Sequence, residues 1–235
     1  MKKTNIRNIT RALFDSTPHR NLELIETHES SPKVINAIVE IPKGTSAKYE
    51  YNAELDTFQL DRCLPSSMVY PCSYGFVPST LAEDGDPLDV LIYNETPIDR
   101  GTLVECNVIG VLDMKDSGGQ DWKLLVTPTS HVRKYRSIKD VDPMFIKIAS
   151  YFFKHYKDLN NSYVDVGEWY GKQKAYDIIK DCCNRSVTTD KRLRSPTTSL
   201  MIKFLSPPER PIQLVATTTD SVACAIGWVR SYALG

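Results

Sequence analysis

The sequence contains no apolar run that approaches the roughly 18 residues needed to span a membrane as a helix. Its first residues also lack the apolar core of a secretory signal peptide. These absences predict a cytoplasmic protein without a membrane partner. The stretch from Ile6 to Phe14 resembles a short basic amphipathic transit peptide, but we interpret it as part of a frayed N-terminal extension.

The chain also lacks an excess of charge, because Lys and Arg together number 29, as do Asp and Glu. Nucleic-acid binding through a strongly basic surface is therefore not favoured. There is no Walker A loop, no GxSxG motif and no convincing Cys/His pair, which removes the main support for nucleotide binding and acyl transfer. The six cysteines show no CxxC pair and no zinc spacing with the four histidines, so we expect reduced, mostly buried thiols.

Short β-rich segments separated by Gly, Pro, Asp and Asn fill much of the chain before residue 130. The predicted strands are Val34–Glu40, Ala47–Tyr51, Thr57–Asp61, Leu88–Tyr93, Thr102–Met114 and Trp122–Thr127. Their close spacing is typical of a small barrel.

The hydrophobic period becomes helical after Asp142-Pro143, a favourable helix start, and stays helical to Leu159. A second amphipathic helix is predicted from Gln173 to Cys182. We therefore predict a mainly β fold with flanking helices (α+β). One catalytic domain, residues 31–183, would lie between an N-terminal extension, 1–30, and a C-terminal extension, 184–235.

The C-terminal extension differs in composition from the rest of the chain. It is rich in Ser and Thr and carries seven Lys/Arg against three Asp/Glu. Both a small β appendage, with strands at Ile212–Ala216 and Val222–Val229, and disorder remain open for it. Its role is not indicated by any motif.

The densest chemical signal is the acidic turn Glu83-Asp84-Gly85-Asp86-Pro87-Leu88-Asp89. Its three aspartates concentrate hard oxygen ligands of the kind that magnesium prefers. A solvated acidic turn is the alternative, and an EF-hand fits poorly because Pro87 occupies a ligand position. A second acidic turn, Asp113 to Asp121, favours the metal interpretation, because antiparallel strands would bring it beside the first.

Other charged residues stand near these acids. Glu40 and Glu50 add carboxylates on strands, and Lys48, Arg62 and Lys123 are cations close to acids in sequence. Taken singly, each is typical of a surface charge. Carboxylates, lysines, an arginine and tyrosines together are typical of phosphoryl transfer without a covalent nucleophile.

Six segments carry a resemblance to a known family: Glu40-Ile41-Pro42, Lys48-Tyr49-Glu50, Asp61-Arg62, Tyr70-Pro71-Cys72-Ser73-Tyr74-Gly75, Asp84-Gly85-Asp86-Pro87-Leu88-Asp89, and Asp116 to Lys123. Over roughly residues 30–183 the chain resembles family I soluble inorganic pyrophosphatases. The resemblance implies a five-stranded OB-like β-barrel with C-terminal helices and several Mg²⁺ ions per active site. It also implies pyrophosphate as substrate, no covalent intermediate, and a homo-oligomer, with a hexamer favoured over a dimer.

The resemblance further implies a role for each matching residue. The expected metal ligands are Asp84, Asp89, Asp116 and Asp121. The expected catalytic residues are Asp86, as general base, and Tyr74, beside the attacking water. The expected phosphate-binding residues are Lys48, Arg62, Lys123, Tyr156 and Lys157. The expected supporting residues are Glu40, Glu50 and Tyr70.

Ser117 departs from the pattern, since many members of the family carry a second acid there. We therefore expect an active enzyme with a higher magnesium requirement than a Ser117→Glu variant. The alternative is that the glycines at 118 and 119 let Ser117 face solvent, so that the substitution has no effect.

Two rival functions remain, a nucleic-acid-binding OB barrel and an inactive relative kept for partner binding. The acidic motif counts against the first, and the intact ligand set counts against the second. Because every assigned residue lies between Glu40 and Lys157, we also expect removal of residues 184–235 to leave activity in place.

Overall fold

The computed structural model describes residues 21–131, 134–160 and 162–189. The strands in these ranges are β1 (Val34–Ile41), β2 (Ala47–Asn52), β3 (Thr57–Cys63), β4 (Ser73–Phe76), β5 (Asp89–Ile92), β6 (Leu103–Asp116), β7 (Gly119–Gln120), β8 (Lys123–Pro128) and β9 (Val164–Gly171). The α-helices are α1 (Pro143–His155) and α2 (Lys172–Thr189). The stretch from Ile6 to Phe14 and the two candidate strands of the C-terminal extension lie outside the described residues.

Five strands close into a ring in the order β1, β4, β5, β8, β6 and back to β1. Neighbouring strands are antiparallel except β5 and β8, which run parallel with Asp89 opposite Lys123. Strands β7 and β9 pair with β6, and β2 and β3 form a separate hairpin. This mainly β, OB-like ring with helices beside it confirms the predicted fold class.

Strands β1 and β4 approach each other closely at Gly75. A Cβ atom at this position would lie 1.8 Å from the carbonyl oxygen of Ile38. Any larger residue would therefore force the two strands apart. Its neighbour Tyr74 pairs with Ile41 of β1 and is buried.

Each helix packs on its own hydrophobic cluster of the sheet. Helix α1 contributes Phe152 and Phe153 to a cluster that contains Leu91, while α2 contributes Ile178 to a cluster that contains Val90. Consecutive residues of β5 thus serve different clusters, as expected for a strand buried on both faces. No helix in the described part of the chain is long and apolar enough to cross a bilayer.

The helix boundaries test the sequence predictions directly. Asp142 caps α1 by accepting a 2.8 Å hydrogen bond from the Met144 amide, with Pro143 in the first turn, which confirms the predicted start. Helix α1 ends at His155, before the predicted Leu159, whereas helix α2 continues beyond its predicted end at Cys182 to Thr189. Strands β4, β7 and β9 were not predicted.

The segment before β1 is held to the barrel by backbone and side-chain hydrogen bonds. The Ser79 amide donates to the Glu23 carbonyl at 2.7 Å, and the Thr27 hydroxyl donates to the Pro78 carbonyl at 2.9 Å. A 3₁₀ turn, Leu22–Leu24, is thereby fixed beside the loop that leads into the acidic turn.

Five of the six cysteines lie in the described residues, all with free thiols. Cys72, Cys106 and Cys182 are buried, Cys183 is half-buried and Cys63 is exposed.

Candidate active site

A cavity of about 240 Å³ collects the predicted site residues. Its carboxylates are Glu23, Glu40, Glu50, Asp84, Asp86, Asp89, Asp116 and Asp121. Its cations are Lys48, Lys123 and Lys157. The remaining lining residues are Tyr51, Tyr70, Tyr74, Phe76, Pro87, Phe153 and Tyr156. Every residue that the sequence analysis assigned to the site lines this cavity except Arg62.

The acidic turn presents two carboxylates to the cavity before the chain enters β5. Gly85 has a φ of +99°, a left-handed conformation that residues with a side chain rarely adopt. The Ala82 amide donates to the Asp86 carbonyl at 2.7 Å, and the Asp86 amide donates to Asp84 Oδ1 at 3.1 Å. The turn is therefore fixed by its own hydrogen bonds.

The raised pKa of Asp86 reflects its surroundings in this turn. Partial burial raises it first, and the negative charges of Asp84 and Asp89 raise it further. Its carboxylate has no hydrogen-bond partner in the described ranges. A carboxylate with a raised pKa and no partner is suited to accept a proton from a nearby water.

Lys123 links two of the aspartates across the parallel strand pair. It lies opposite Asp89, and its ammonium group contacts both Asp89 and, at 2.5 Å, Asp121. Its side chain is only 3% exposed. Burial by itself lowers the pKa of Lys123, but the two carboxylates raise it by more, so the ammonium stays charged.

Lys157 makes the corresponding contact with Asp116. Its ammonium group lies 2.7 Å from Asp116 Oδ2, and the Gly118 amide donates to Oδ1 of the same carboxylate at 2.8 Å. Burial alone raises the pKa of Asp116, but these two donors lower it on balance. Asp116 is therefore ionised near neutral pH.

The hairpin of β2 and β3 supplies the third lysine of the cavity, Lys48. Lys48 Nζ lies 2.5 Å from Glu50 and 3.3 Å from Asp61. Arg62 is paired with Lys48 in the strand register, and its guanidinium lies 3.0 Å from Asp61. The buried Nε of Arg62 has no hydrogen-bond partner in the described structure, although the residue does not line the cavity.

Glu40 occupies the buried end of the cavity. Burial raises the pKa of Glu40 to about 8, even though a 2.7 Å hydrogen bond from the Tyr51 amide lowers it. Tyr70 and Tyr74 are also buried here, with ring centroids 5.6 Å apart. Burial raises the pKa of both phenols, so each hydroxyl remains a hydrogen-bond donor at neutral pH.

Two polar lining residues were missed by the sequence analysis. Tyr51 follows Glu50 on β2, and its hydroxyl bonds both to the Leu22 amide and to Asp56. Glu23 reaches the cavity from the N-terminal segment, where no motif marks it. Burial, and then the charge of Asp86, raises the pKa of Glu23.

Ser117 takes no part in the lining. It lies exposed in the two-residue turn between β6 and β7, where Asp116 pairs with Gly119. This placement favours the alternative in which position 117 faces solvent.

The donors of the cavity match a hard cation. The metal-ligating side chains that line it are all carboxylates, without His or Cys. Within the described ranges, no three carboxylate, His or Cys groups are close enough together to hold a metal in this arrangement. Lysine ammonium groups instead lie among the carboxylates and reduce the repulsion between their negative charges. Divalent cations would reduce this repulsion in the same way.

Comparison with known proteins gives a consistent result. A profile of the family described as Inorganic pyrophosphatase matches residues 37–186. An inorganic pyrophosphatase of Geobacillus stearothermophilus is 41% identical over 155 residues, which cover 65% of this chain and 94% of the relative. One from Methanosarcina acetivorans is 40% identical over 68% of this chain and 96% of its own. The crystal structure of the Thermus thermophilus inorganic pyrophosphatase superposes with a TM-score of 0.68 at 36% identity, covering 71% of this chain and 98% of that structure.

Proposed function

The chain belongs to the inorganic pyrophosphatase family and is an inorganic diphosphatase, and we propose that it hydrolyses pyrophosphate in the cavity lined by the acidic turn. The observation that carries this assignment is the convergence of carboxylates and lysines from distant segments on one small cavity. Such a site binds a polyanion only when cations balance the carboxylates. The acidic lining also disfavours nucleic-acid binding.

Magnesium is the cofactor that we propose, with several ions per site. The residues that would hold it are Asp84, Asp89, Asp116 and Asp121, whose oxygen donors suit this hard cation. When bound, magnesium supplies positive charge that acidifies water and neutralises phosphate oxygens.

The proton chemistry falls to Asp86. Its unpartnered carboxylate accepts a proton from the attacking water, and its raised pKa makes that transfer more favourable than at an ordinary aspartate. The buried hydroxyl of Tyr74 donates a hydrogen bond near the attacking oxygen. Attack of water on phosphorus splits the anhydride directly, so no covalent intermediate is needed.

Substrate binding falls to the cationic and phenolic donors. Lys48, Lys123 and Lys157 each contact a carboxylate and would donate to phosphate oxygens when metal ions balance the charge of those carboxylates. Tyr156 lies beside Lys157, with the ammonium 5.3 Å from its ring centroid. The unpartnered Nε of Arg62 is a further donor at the edge of this group. Glu40, Glu50 and Tyr70 support the arrangement.

We also propose a cytoplasmic homo-oligomer, with a hexamer favoured over a dimer. Helix α1 supports association because its outer face exposes Met144, Ile148 and Tyr151 at helical spacing. Residues 31–183 are proposed as the catalytic domain, with 1–30 and 184–235 as extensions.

The proposal is tested by measuring phosphate release from pyrophosphate. We expect turnover with magnesium, loss of turnover after EDTA treatment, and poor support by calcium, whose larger and looser coordination acidifies water less. Asp89→Asn is expected to be inactive at low magnesium, whereas Asp99→Asn, an exposed control, retains full activity. Full activity in metal-free protein would refute the metal-dependent mechanism.

A further inference from the structure

The loop before the acidic turn is held by the last turns of helix α2. Both backbone polar groups of Leu81 bond to this helix. The Leu81 amide donates to the Cys182 carbonyl at 3.1 Å, and the Leu81 carbonyl accepts from Arg185 Nη1 at 2.6 Å. A residue fixed at both its donor and its acceptor has little freedom to move relative to the helix.

Arg185 makes two weaker contacts in the same place. Its Nη2 atom lies 3.9 Å from Glu83, and its Nη1 atom lies 3.8 Å from the Cys182 sulfur. The Glu83 side chain is 58% exposed, so the ion pair is screened by solvent. The hydrogen bond from the charged guanidinium to the Leu81 carbonyl is therefore the contact that matters most.

The position of Leu81 determines where the acidic turn lies. The next residue, Ala82, donates to the Asp86 carbonyl and closes the turn, while the Leu88 amide donates to the Thr80 hydroxyl at 2.9 Å on the other side. A shift of Leu81 is thus transmitted to Asp84 and Asp86. In contrast, Asp89 and Lys123 are positioned by the register of strands β5 and β8.

We propose that Arg185 is a positioning residue that holds Asp84 and Asp86 in register with the strand-borne half of the active site. This inference rests on the proposed function of the cavity. It assigns a part in catalysis to a residue that composition alone places in the C-terminal extension. Arg185 does not line the cavity and acts through the backbone of Leu81.

The test compares three variants of the full-length protein. Arg185→Met removes the donor, Arg185→Lys keeps one charged donor on a flexible stem, and Lys180→Met makes the same loss of charge at an exposed position of the same helix. We expect Arg185→Met to lower kcat roughly tenfold, because small misplacements of reacting groups are costly. KM should change less, since the phosphate-binding lysines keep their places. Arg185→Lys should be intermediate, and Lys180→Met should match the wild type.

Hydrogen exchange distinguishes positioning from general destabilisation. In Arg185→Met the amides of Ala82 and Leu88 should exchange faster, while those of β5 and β8 remain as protected as in the wild type. Wild-type kcat in Arg185→Met, or an equal loss of protection throughout the ring, would overturn the proposal. If the wild-type protein released no phosphate, the proposed function would fail, whereas unchanged exchange at Ala82 and Leu88 would separately refute the role of Arg185.

Discussion

Lys157 lies 2.7 Å from Asp116 and so joins the segment after helix α1 to the end of strand β6. Replacing Lys157 with methionine removes a proposed phosphate ligand and leaves Asp116 without its cation. We expect KM for magnesium pyrophosphate to rise by about tenfold or more, corresponding to roughly 1.4 kcal/mol of lost binding. Lys154→Met, at an exposed position of α1, is the control. Equal KM values in the two variants would show that Lys157 only stabilises the fold.

Asp86→Asn should abolish most turnover while the protein stays folded. The amide keeps the shape of the carboxylate but accepts no proton from water, and such a loss typically costs about 10²- to 10⁴-fold in rate. Asp89→Asn should act differently, raising the magnesium requirement first. Rates measured at saturating magnesium separate the two variants, and near-wild-type turnover in Asp86→Asn would disprove the general-base role.

Local patterns in the sequence predicted much of the fold. The change of hydrophobic period at Asp142-Pro143 predicted helix α1, and six strands were predicted from short β-rich segments separated by Gly, Pro, Asp and Asn. Strand β4 was missed because it has only four residues and one of them is glycine. Gly75 is required there by the close approach of Ile38, which is distant in the sequence. Strand β9 was missed because none of its residues is buried, so it lacks a strongly apolar pattern, and because it lies between two helices.

The site residues that share one sequence motif could be predicted to lie together. Those that are brought together by the pairing of distant strands were harder to place. The acidic turn places its own aspartates. The contact between Lys123 and Asp89, however, depends on the parallel pairing of β5 and β8, which are not consecutive strands. Glu23 enters the cavity only through the docking of a segment that carries no motif.

Glu23 provides a test of that unpredicted contribution. Its carboxylate lines the cavity and has no hydrogen-bond or ion-pair partner in the described ranges. Removing one negative charge from the rim should weaken cation binding by a few fold, given the screening near a protein surface. We expect Glu23→Gln to bind Mn²⁺ more weakly than wild type in equilibrium dialysis without substrate. Glu26→Gln, exposed in the same segment, is the control, and identical isotherms would contradict the prediction.

The contact of Arg185 with Leu81 changes the expected effect of truncation at residue 183. Removing residues 184–235 also removes Arg185 and the end of helix α2, which contact the loop before the acidic turn. We now expect a chain of residues 1–189 to keep wild-type turnover and a chain of residues 1–183 to lose roughly tenfold or more. Phosphate release and thermal unfolding of both chains decide the matter. Equal turnover of the two chains would show that residues 184–189 of helix α2 are not needed for activity.

At Ser117 the structure favours the alternative in which this residue faces solvent. It lies exposed in the turn between β6 and β7. Asp116 is held by Lys157 and by the Gly118 amide, and the Ser117 side chain contributes nothing to these contacts. A carboxylate that points into water attracts a cation weakly, because charges are screened over about 8 Å at physiological salt. Magnesium activation curves of Ser117→Glu and wild type should therefore superimpose, whereas Asp116→Asn should shift the curve to higher magnesium. A lower magnesium requirement in Ser117→Glu would mean that the turn folds inward when metal binds, because only a carboxylate near the cavity could produce it.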